Sequence, residues 1–312
     1  MSNSEKINQL ISSLNSVVVG SPETVRLLVC SFVAGGHALI EDRPGVGKTA
    51  LAKALANSLK LDFNRVQFTS DLMPSDVIGS MIWKPQNGEL EFRRGPIFTN
   101  ILLGDELNRA SPRVQSALLE AMNEAHISVD GVTHPLDTPF FLVATQNPYD
   151  DSGCHPLPDA QLDRFMVRLE MGYPDTNTEV NLLSVRLKEN PLDKIDSIIN
   201  KNDVLSIRSS IDDIKMDDKL LKWLVNFAQL SREDEDCNHG LSPRALLQMC
   251  SIARALAMSE SRSWVEPDDL ERLLVPVFAH RLSASNHHSY SSKIDHQIAF
   301  VYKWLDNCPL PI

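Results

Sequence analysis

The chain has 312 residues, of which 43% are hydrophobic and 23% charged, so collagen-like, low-complexity and wholly disordered readings are excluded. Lys plus Arg count 30 against 41 Asp plus Glu, a formal charge of −11, which excludes a generic nucleic-acid coat because affinity for phosphate backbones rests on concentrated Lys and Arg. This length predicts two domains, each able to bury its own core.

The opening MSNSEKINQL lacks the basic region and apolar run of a signal peptide. The longest uncharged stretch, Leu27 to Ile40, falls short of the ~20 apolar residues that span a bilayer. Cys30, Cys154, Cys237, Cys250 and Cys308 are scattered, odd in number and never in a CxxC pair, so reduced thiols and a cytoplasmic protein are expected.

From Ala38 to roughly Leu169, short apolar runs alternate with helical patterns, which predicts an α/β fold. The runs ALI (38–40), FNRVQF (63–68), ILL (101–103), FFLVA (140–144) and FMVRL (165–169) predict a five-stranded parallel sheet buried on both faces. Lys48 to Leu59 and Pro112 to Asn123 carry the three-and-four apolar spacing of helices. Two inserts, 81–95 with Asn87-Gly88 and 126–136 with Asp130-Gly131, predict hairpins projecting from the sheet. After Gly172-Tyr173-Pro174 the strand signals stop, and amphipathic patterns such as Leu220, Leu221, Leu224, Phe227 and Ala228 predict a helical second domain. The polar segment Lys188 to Lys219 and the acidic cluster Arg232 to Asp236 are expected as loops and solvated faces.

Chemistry enters directly after the first strand. Asp42-Arg43-Pro44-Gly45-Val46-Gly47-Lys48-Thr49 matches a phosphate-binding loop except at its first glycine, where Asp42 stands. Gly45 and Gly47 permit close approach of backbone N–H groups to a polyphosphate, and the following helix presents its positive end. Pro44, Gly45, Val46, Gly47, Lys48, Thr49 and Ala50 are the candidate ATP-binding residues, with Lys48 on the β- and γ-phosphates and Thr49 on Mg²⁺. The Asp42 carboxylate must point away from the phosphates or weaken binding by like-charge repulsion.

Ile101-Leu102-Leu103-Gly104-Asp105-Glu106 is an apolar strand ending in two acids. Asp105 is expected to hold Mg²⁺ through its water shell, and Glu106 to polarise a water for attack on the γ-phosphate. The next strand ends at Gln146-Asn147-Pro148, and in a parallel sheet Asn147 emerges on the same edge as Asp105, placed to orient that water; Asn-Pro is also an ordinary turn.

These motifs, with GPIFTNILLGDELNRASPRVQSALLEAMNE, ATQNP, LPDAQLDRF and GLSPRALL, cover nearly the whole chain, which resembles the MoxR-type AAA+ ATPases, relatives of magnesium-chelatase ATPase subunits. The resemblance implies an AAA+ α/β domain over 1–173 carrying the two inserts, an α-helical lid over 174–312, and a ring, usually hexameric, with ATP at each subunit interface. It also implies that Arg164 is an arginine finger entering a neighbour's site and that Arg244 is a second sensor of the γ-phosphate. Ser242-Pro243 is a good helix start, where an arginine in the first turn opposes the helix dipole unless an anion offsets it; Ser111-Pro112-Arg113 opens another helix the same way. Arg109 either bridges to a neighbouring subunit or is a plain surface arginine.

Three classes of function follow. The first is a remodelling or assembly factor acting on a protein client, which the resemblance implies carries a von Willebrand factor A domain. The second is a nucleic-acid motor, disfavoured because the second insert has no Lys or Arg and the first balances Lys84, Arg93 and Arg94 against Glu89 and Glu91. The third is a module that holds ATP without turnover, which the complete set of chemical residues gives no reason to prefer. The nine histidines, including Cys154-His155, Cys237-Asn238-His239 and His287-His288, lack the spacing of structural zinc sites. Trp83 and Phe92 in the first insert are the exposed hydrophobes expected to touch a partner, or else to pack on their own domain.

Overall fold

The computed structural model describes all residues except 18–20, 43–44, 46, 87, 148–153, 173–175, 177–179, 181–196, 285–289 and 312. Helices α1 (Asn3–Val17) and α2 (Pro22–Val33) lead into strand β1 (Ala38–Glu41), helix α3 (Lys48–Leu59) and strand β2 (Phe63–Gln67). A short helix α4 (Pro74–Ile78) precedes the hairpin β3 (Gly79–Lys84) and β4 (Glu89–Arg94). Strand β5 (Ile101–Asp105) is followed by helix α5 (Pro112–Glu124), the hairpin β6 (His126–Val129) and β7 (Val132–Pro135), strand β8 (Phe141–Gln146), helix α6 (Asp159–Leu162) and strand β9 (Val167–Leu169).

The five expected strands pair in parallel in the order β2-β5-β8-β1-β9. Register sets Gln67 beside Asp105 and Glu41 beside Gln146, so the carboxyl ends of β1, β2, β5 and β8 lie along one edge. Strands β1, β5, β8 and β9 are buried along their whole length, as near-continuous apolar runs require. Strand β2 departs from that expectation. It is the edge strand, and only Val66 of its five residues is buried. Asn64, Arg65 and Gln67 break the apolar run, and an edge position is where such a strand is tolerated.

Alternation divides the core between the two faces of the sheet. Leu39, Leu102, Leu142 and Ala144 pack with α5, whereas Ile40, Leu103, Phe141 and Val143 pack with α1 to α3. The second cluster runs without a break into the carboxyl-terminal helices α7 (Lys201–Ile211), α8 (Asp218–Glu233), α9 (Pro243–Ser259), α10 (Pro267–Phe278) and α11 (Tyr290–Asn307). Helices α1 and α2 both touch α9, so the amino-terminal helices join the two halves.

Three expectations for the second half are corrected. Lys201–Ile211 is a helix, not a loop: Asn200 accepts hydrogen bonds from the backbone N–H of Asn202 and Asp203, and Val204, Ile207 and Ile211 are buried at helical spacing among the polar residues that hid them. The acidic cluster is not simply solvated, because Asp234 accepts hydrogen bonds from Trp304 Nε1 at 2.7 Å and pairs with Lys303 at 2.9 Å. A two-stranded sheet, β10 (Cys237–His239) with β11 (Ser283–Ala284), interrupts the helices; it is too short to leave a periodic signal.

Candidate functional site

Gly45 has φ +89° and Gly47 φ +96°, left-handed values that glycine adopts without a Cβ penalty, and a Cβ on Gly45 would meet nothing within 4 Å. The loop therefore opens onto a cavity of about 350 Å³ lined by Gly45, Gly47, Lys48, Thr49, Ala50, Arg65, Gln67, Asp105, Glu106, Thr145 and Asn147. Pro44 and Val46 lie outside the described residues. Gly47 is the N-cap of α3, so the helix points its free N–H groups and positive end at this cavity.

Lys48 Nζ donates to the Asp42 carbonyl at 2.7 Å. Burial lowers the Lys48 ammonium pKa from the ordinary lysine range, against the opposing pull of Asp42, Asp105 and Glu106. Asp42 turns its carboxylate away from the cavity: Oδ2 accepts from the backbone N–H of Met171 at 2.9 Å and of Gly172 at 2.8 Å. The residue that replaces the first loop glycine thus ties β1 to the chain leaving β9, and its charge is spent on two backbone donors.

At the end of β5, Asp105 is buried, and Glu106 turns the chain with φ +56°, a left-handed conformation that costs a non-glycine residue about 1 kcal/mol. Thr145 on β8 fixes both: its hydroxyl donates to Asp105 Oδ1 and accepts from the Glu106 N–H, each at 3.1 Å. The acids are held from the other side too. Arg65 Nε donates to Asp105 Oδ2 at 2.7 Å, Gln67 Nε2 donates to Glu106 Oε2 at 2.9 Å, and Arg109 Nε approaches the same Oε2 at 3.2 Å. Sequence reasoning missed Arg65, Gln67 and Thr145. A strand of period two that carries Arg and Gln at alternate positions beside the acids was the available signal. Arg109, read as a neighbour contact or a surface residue, is partly exposed and pairs with Glu106 of its own chain.

The donor set is hard oxygen, the Thr49 hydroxyl and the Asp105 carboxylate beside an ammonium and a helix amino terminus, which suits Mg²⁺ bound together with phosphate oxygens. Among the described residues no group of three or more His, Cys, Asp or Glu is placed to hold a metal ion without such a co-ligand.

Residues 37–167 match the family described as ATPase family associated with various cellular activities (AAA), and residues 229–297 match the AAA lid domain. The chain is 42% identical over 276 residues to YeaC of Bacillus subtilis, an uncharacterized protein, an overlap covering 88% of this chain and 86% of YeaC. It is 34% identical over 285 residues to chaperone MoxR1 of Mycobacterium tuberculosis, covering 88% of this chain and 75% of that one. A crystal structure assigned as an ATPase of Cytophaga hutchinsonii shares the fold with a TM-score of 0.84 at 34% identity, over 95% of this chain and 94% of that one. The chain belongs to the MoxR-type AAA+ ATPases. The α/β core, helical lid and ATP hydrolysis expected of that family are those of this protein.

In this MoxR-type ATPase neither Arg164 nor Arg244 lines the nucleotide cavity. Arg164, two residues beyond α6, donates from Nη1 to the Leu119 carbonyl of α5 at 2.8 Å, and its buried Nε makes no hydrogen bond among the described residues. Burial first, and the like charge of Arg244 second, lower its pKa from the usual arginine range. Arg244 is exposed in the first turn of α9, whose N-cap Ser242 accepts from the Ala245 N–H at 3.1 Å. The two arginines therefore share one edge of the subunit.

The hairpins pack on each other. Phe92 on β4 stacks on His134 of β7 with ring centroids 4.0 Å apart and meets Phe98 edge-on at 5.6 Å, the second of its two expected roles, packing on its own domain. Trp83 stays 59% exposed, beside Leu90 at 61% across the same hairpin. Lys84 pairs with Glu91, removing one of the few cations from that surface.

Proposed function

We propose that ATP binds with Mg²⁺ in the cavity at the end of β1, β5 and β8 and that hydrolysis is completed between subunits. The observation that carries this is the convergence of Lys48, Thr49, Asp105, Glu106 and Asn147 on one cavity from three separate strand ends. Loop N–H groups at Gly45 and Gly47 and the start of α3 hold the phosphates, and Lys48 exchanges the Asp42 carbonyl for phosphate oxygens. Pro44, Val46 and Ala50 complete the loop. Thr49 and Asp105 hold the metal, which when bound neutralises charge on the β- and γ-phosphoryl oxygens. Glu106 takes the proton of the attacking water, and Asn147 orients that water.

Arg164 and Arg244 act together on a neighbour's γ-phosphate. Two arginines near enough to repel each other, neither of which lines the cavity of its own subunit, are stabilised by an anion arriving from outside. A ring of subunits, six by resemblance, brings each pair to the next cavity. Hydrolysis changes the angle between core and lid, whose expected boundary at 173/174 lies outside the described residues.

The work of that motion is done on a protein client, by resemblance one with a von Willebrand factor A domain, in the cytoplasm. Trp83 and Leu90, exposed on a hairpin whose Lys84 is neutralised by Glu91, suit a polypeptide better than a phosphate backbone. Among the described residues no helix is long and apolar enough to cross a membrane. Steady-state phosphate release per subunit, measured over a wide range of protein concentration with Mg²⁺ and saturating ATP, tests the shared site. Specific activity is expected to rise and saturate as subunits associate; a flat rate accompanied by a monomer on sizing would overturn it.

A further inference from the structure

Asp105 is buried, yet the group nearest its outer oxygen is a cation that belongs to the protein. Arg65 Nε lies 2.7 Å from Asp105 Oδ2, while Thr145 takes Oδ1. Arg65 sits on the edge strand β2, where its side chain is 49% exposed. The other carboxylate of the site has its own partners, Gln67 and Arg109, so Arg65 serves Asp105. Arg65 Nη2 also donates to Gln67 Oε1 at 3.3 Å, and both residues line the cavity together with Thr49 and Asp105.

We propose that Arg65 is the resident counter-charge of Asp105 and competes with Mg²⁺ for it, so that the metal is admitted only as Arg65 withdraws. This rests on the reading of Asp105 as the metal-holding carboxylate. The physical reason is a buried carboxylate, which is costly to leave without a cation. Before the metal arrives, the guanidinium meets that need; a hydrated divalent ion and a guanidinium then compete for one oxygen. The edge position of β2 makes withdrawal cheap, because the long side chain moves into water without opening a cavity in the core. Arg65 is thus a positioning residue that sets the metal affinity of the site, not a phosphate ligand.

Mn²⁺ binding, followed by electron paramagnetic resonance on the full chain saturated with a non-hydrolysable ATP analogue, tests this without reference to turnover. Arg65→Gln is expected to tighten Mn²⁺ by about fivefold, the scale of a half-exposed ion pair at good geometry. Arg65→Lys, which keeps the charge, should fall between the two. Arg109→Gln removes an equal charge from Glu106 and is expected to change Mn²⁺ affinity less than twofold, which separates competition at Asp105 from a general change of potential. Circular dichroism of each variant controls for folding, and Arg65→Lys carries the test if Arg65→Gln does not fold. Asp105→Asn should weaken Mn²⁺; if it does and Arg65→Gln leaves the affinity unchanged or lowers it, the competition is overturned while the reading of Asp105 stands. Mn²⁺ affinity indifferent to Asp105→Asn overturns that reading and the competition with it. Weaker binding of the analogue to Arg65→Gln in the presence of chelator would place Arg65 on the phosphates and likewise overturn the proposal.

Discussion

The Ser242 hydroxyl donates to both oxygens of Asp163, at 2.9 and 3.0 Å, and so joins the residue before Arg164 to the turn that carries Arg244. Arg281, buried in the lid, reinforces the joint by donating to the Phe165 carbonyl at 2.6 Å and approaching Asp163 at 3.8 Å. Direct contacts therefore join the segment carrying Arg164 in the core to the one carrying Arg244 in the lid.

This arrangement gives a test that separates action on a neighbour from action on the subunit's own nucleotide. Arg164→Ala and Arg244→Ala proteins, mixed with each other, are expected to show no recovery of ATP hydrolysis, because each interface receives both arginines from one subunit and always lacks one. Each mixed with Glu106→Gln should recover. Recovery in the mixture of the two arginine variants would mean that Arg244 serves its own subunit.

Glu106→Gln keeps the shape of the site and its contact with Gln67 while removing the base. Hydrolysis is expected to fall by about 10²–10⁴-fold with ATP still bound. Phosphate release together with retention of labelled ATP on a sizing column checks both halves of the statement.

Asp42→Ala deletes the acceptor of two backbone N–H groups near the exit of β9. Stability is expected to drop by about 1–3 kcal/mol, read as a lower thermal midpoint, with Asp42→Asn intermediate. ATP affinity in the folded variant should change little, since the carboxylate points away from the phosphates; a large gain in affinity would mean that it does not.

Acid should destabilise the protein through two buried histidines. Burial pushes His37 down to about 4, and His280 falls well below its ordinary value. The unfolded chain, whose histidines titrate near 6.5, binds more protons than the folded one between about pH 6.5 and 4. Stability present above pH 6.5 is therefore lost as pH falls through this window, by about 3 kcal/mol from His37 alone. Thermal midpoints at pH 7.5, 6 and 5 check the slope, and His37→Gln should flatten it.

The two hairpin aromatics should separate cleanly. Phe92→Ala loses both ring contacts and is expected to lower the thermal midpoint, whereas Trp83→Ala, already exposed, should cost less than about 0.5 kcal/mol.

Order along the chain was enough for the parallel sheet, the helices expected over Lys48 to Leu59 and Pro112 to Asn123, both hairpins and the placing of the glycine-rich loop and the two acids at strand ends. These rest on local rules: buried strands are apolar runs, helices repeat every three to four residues, and a phosphate loop needs small residues at set spacing. What the sequence left open were relations between distant segments. Helix Lys201–Ile211 was hidden because its three buried residues are diluted by polar ones, and the choice between an exposed and a packed Phe92 rested on His134, from another hairpin, which stacks on it. Arg65, Gln67 and Thr145 carry no motif; they matter because register sets β2 and β8 on either side of the acids of β5. The nearness of Arg164 and Arg244 follows from Ser242 reaching Asp163 across 79 positions of chain, a contact that only packing of lid on core creates.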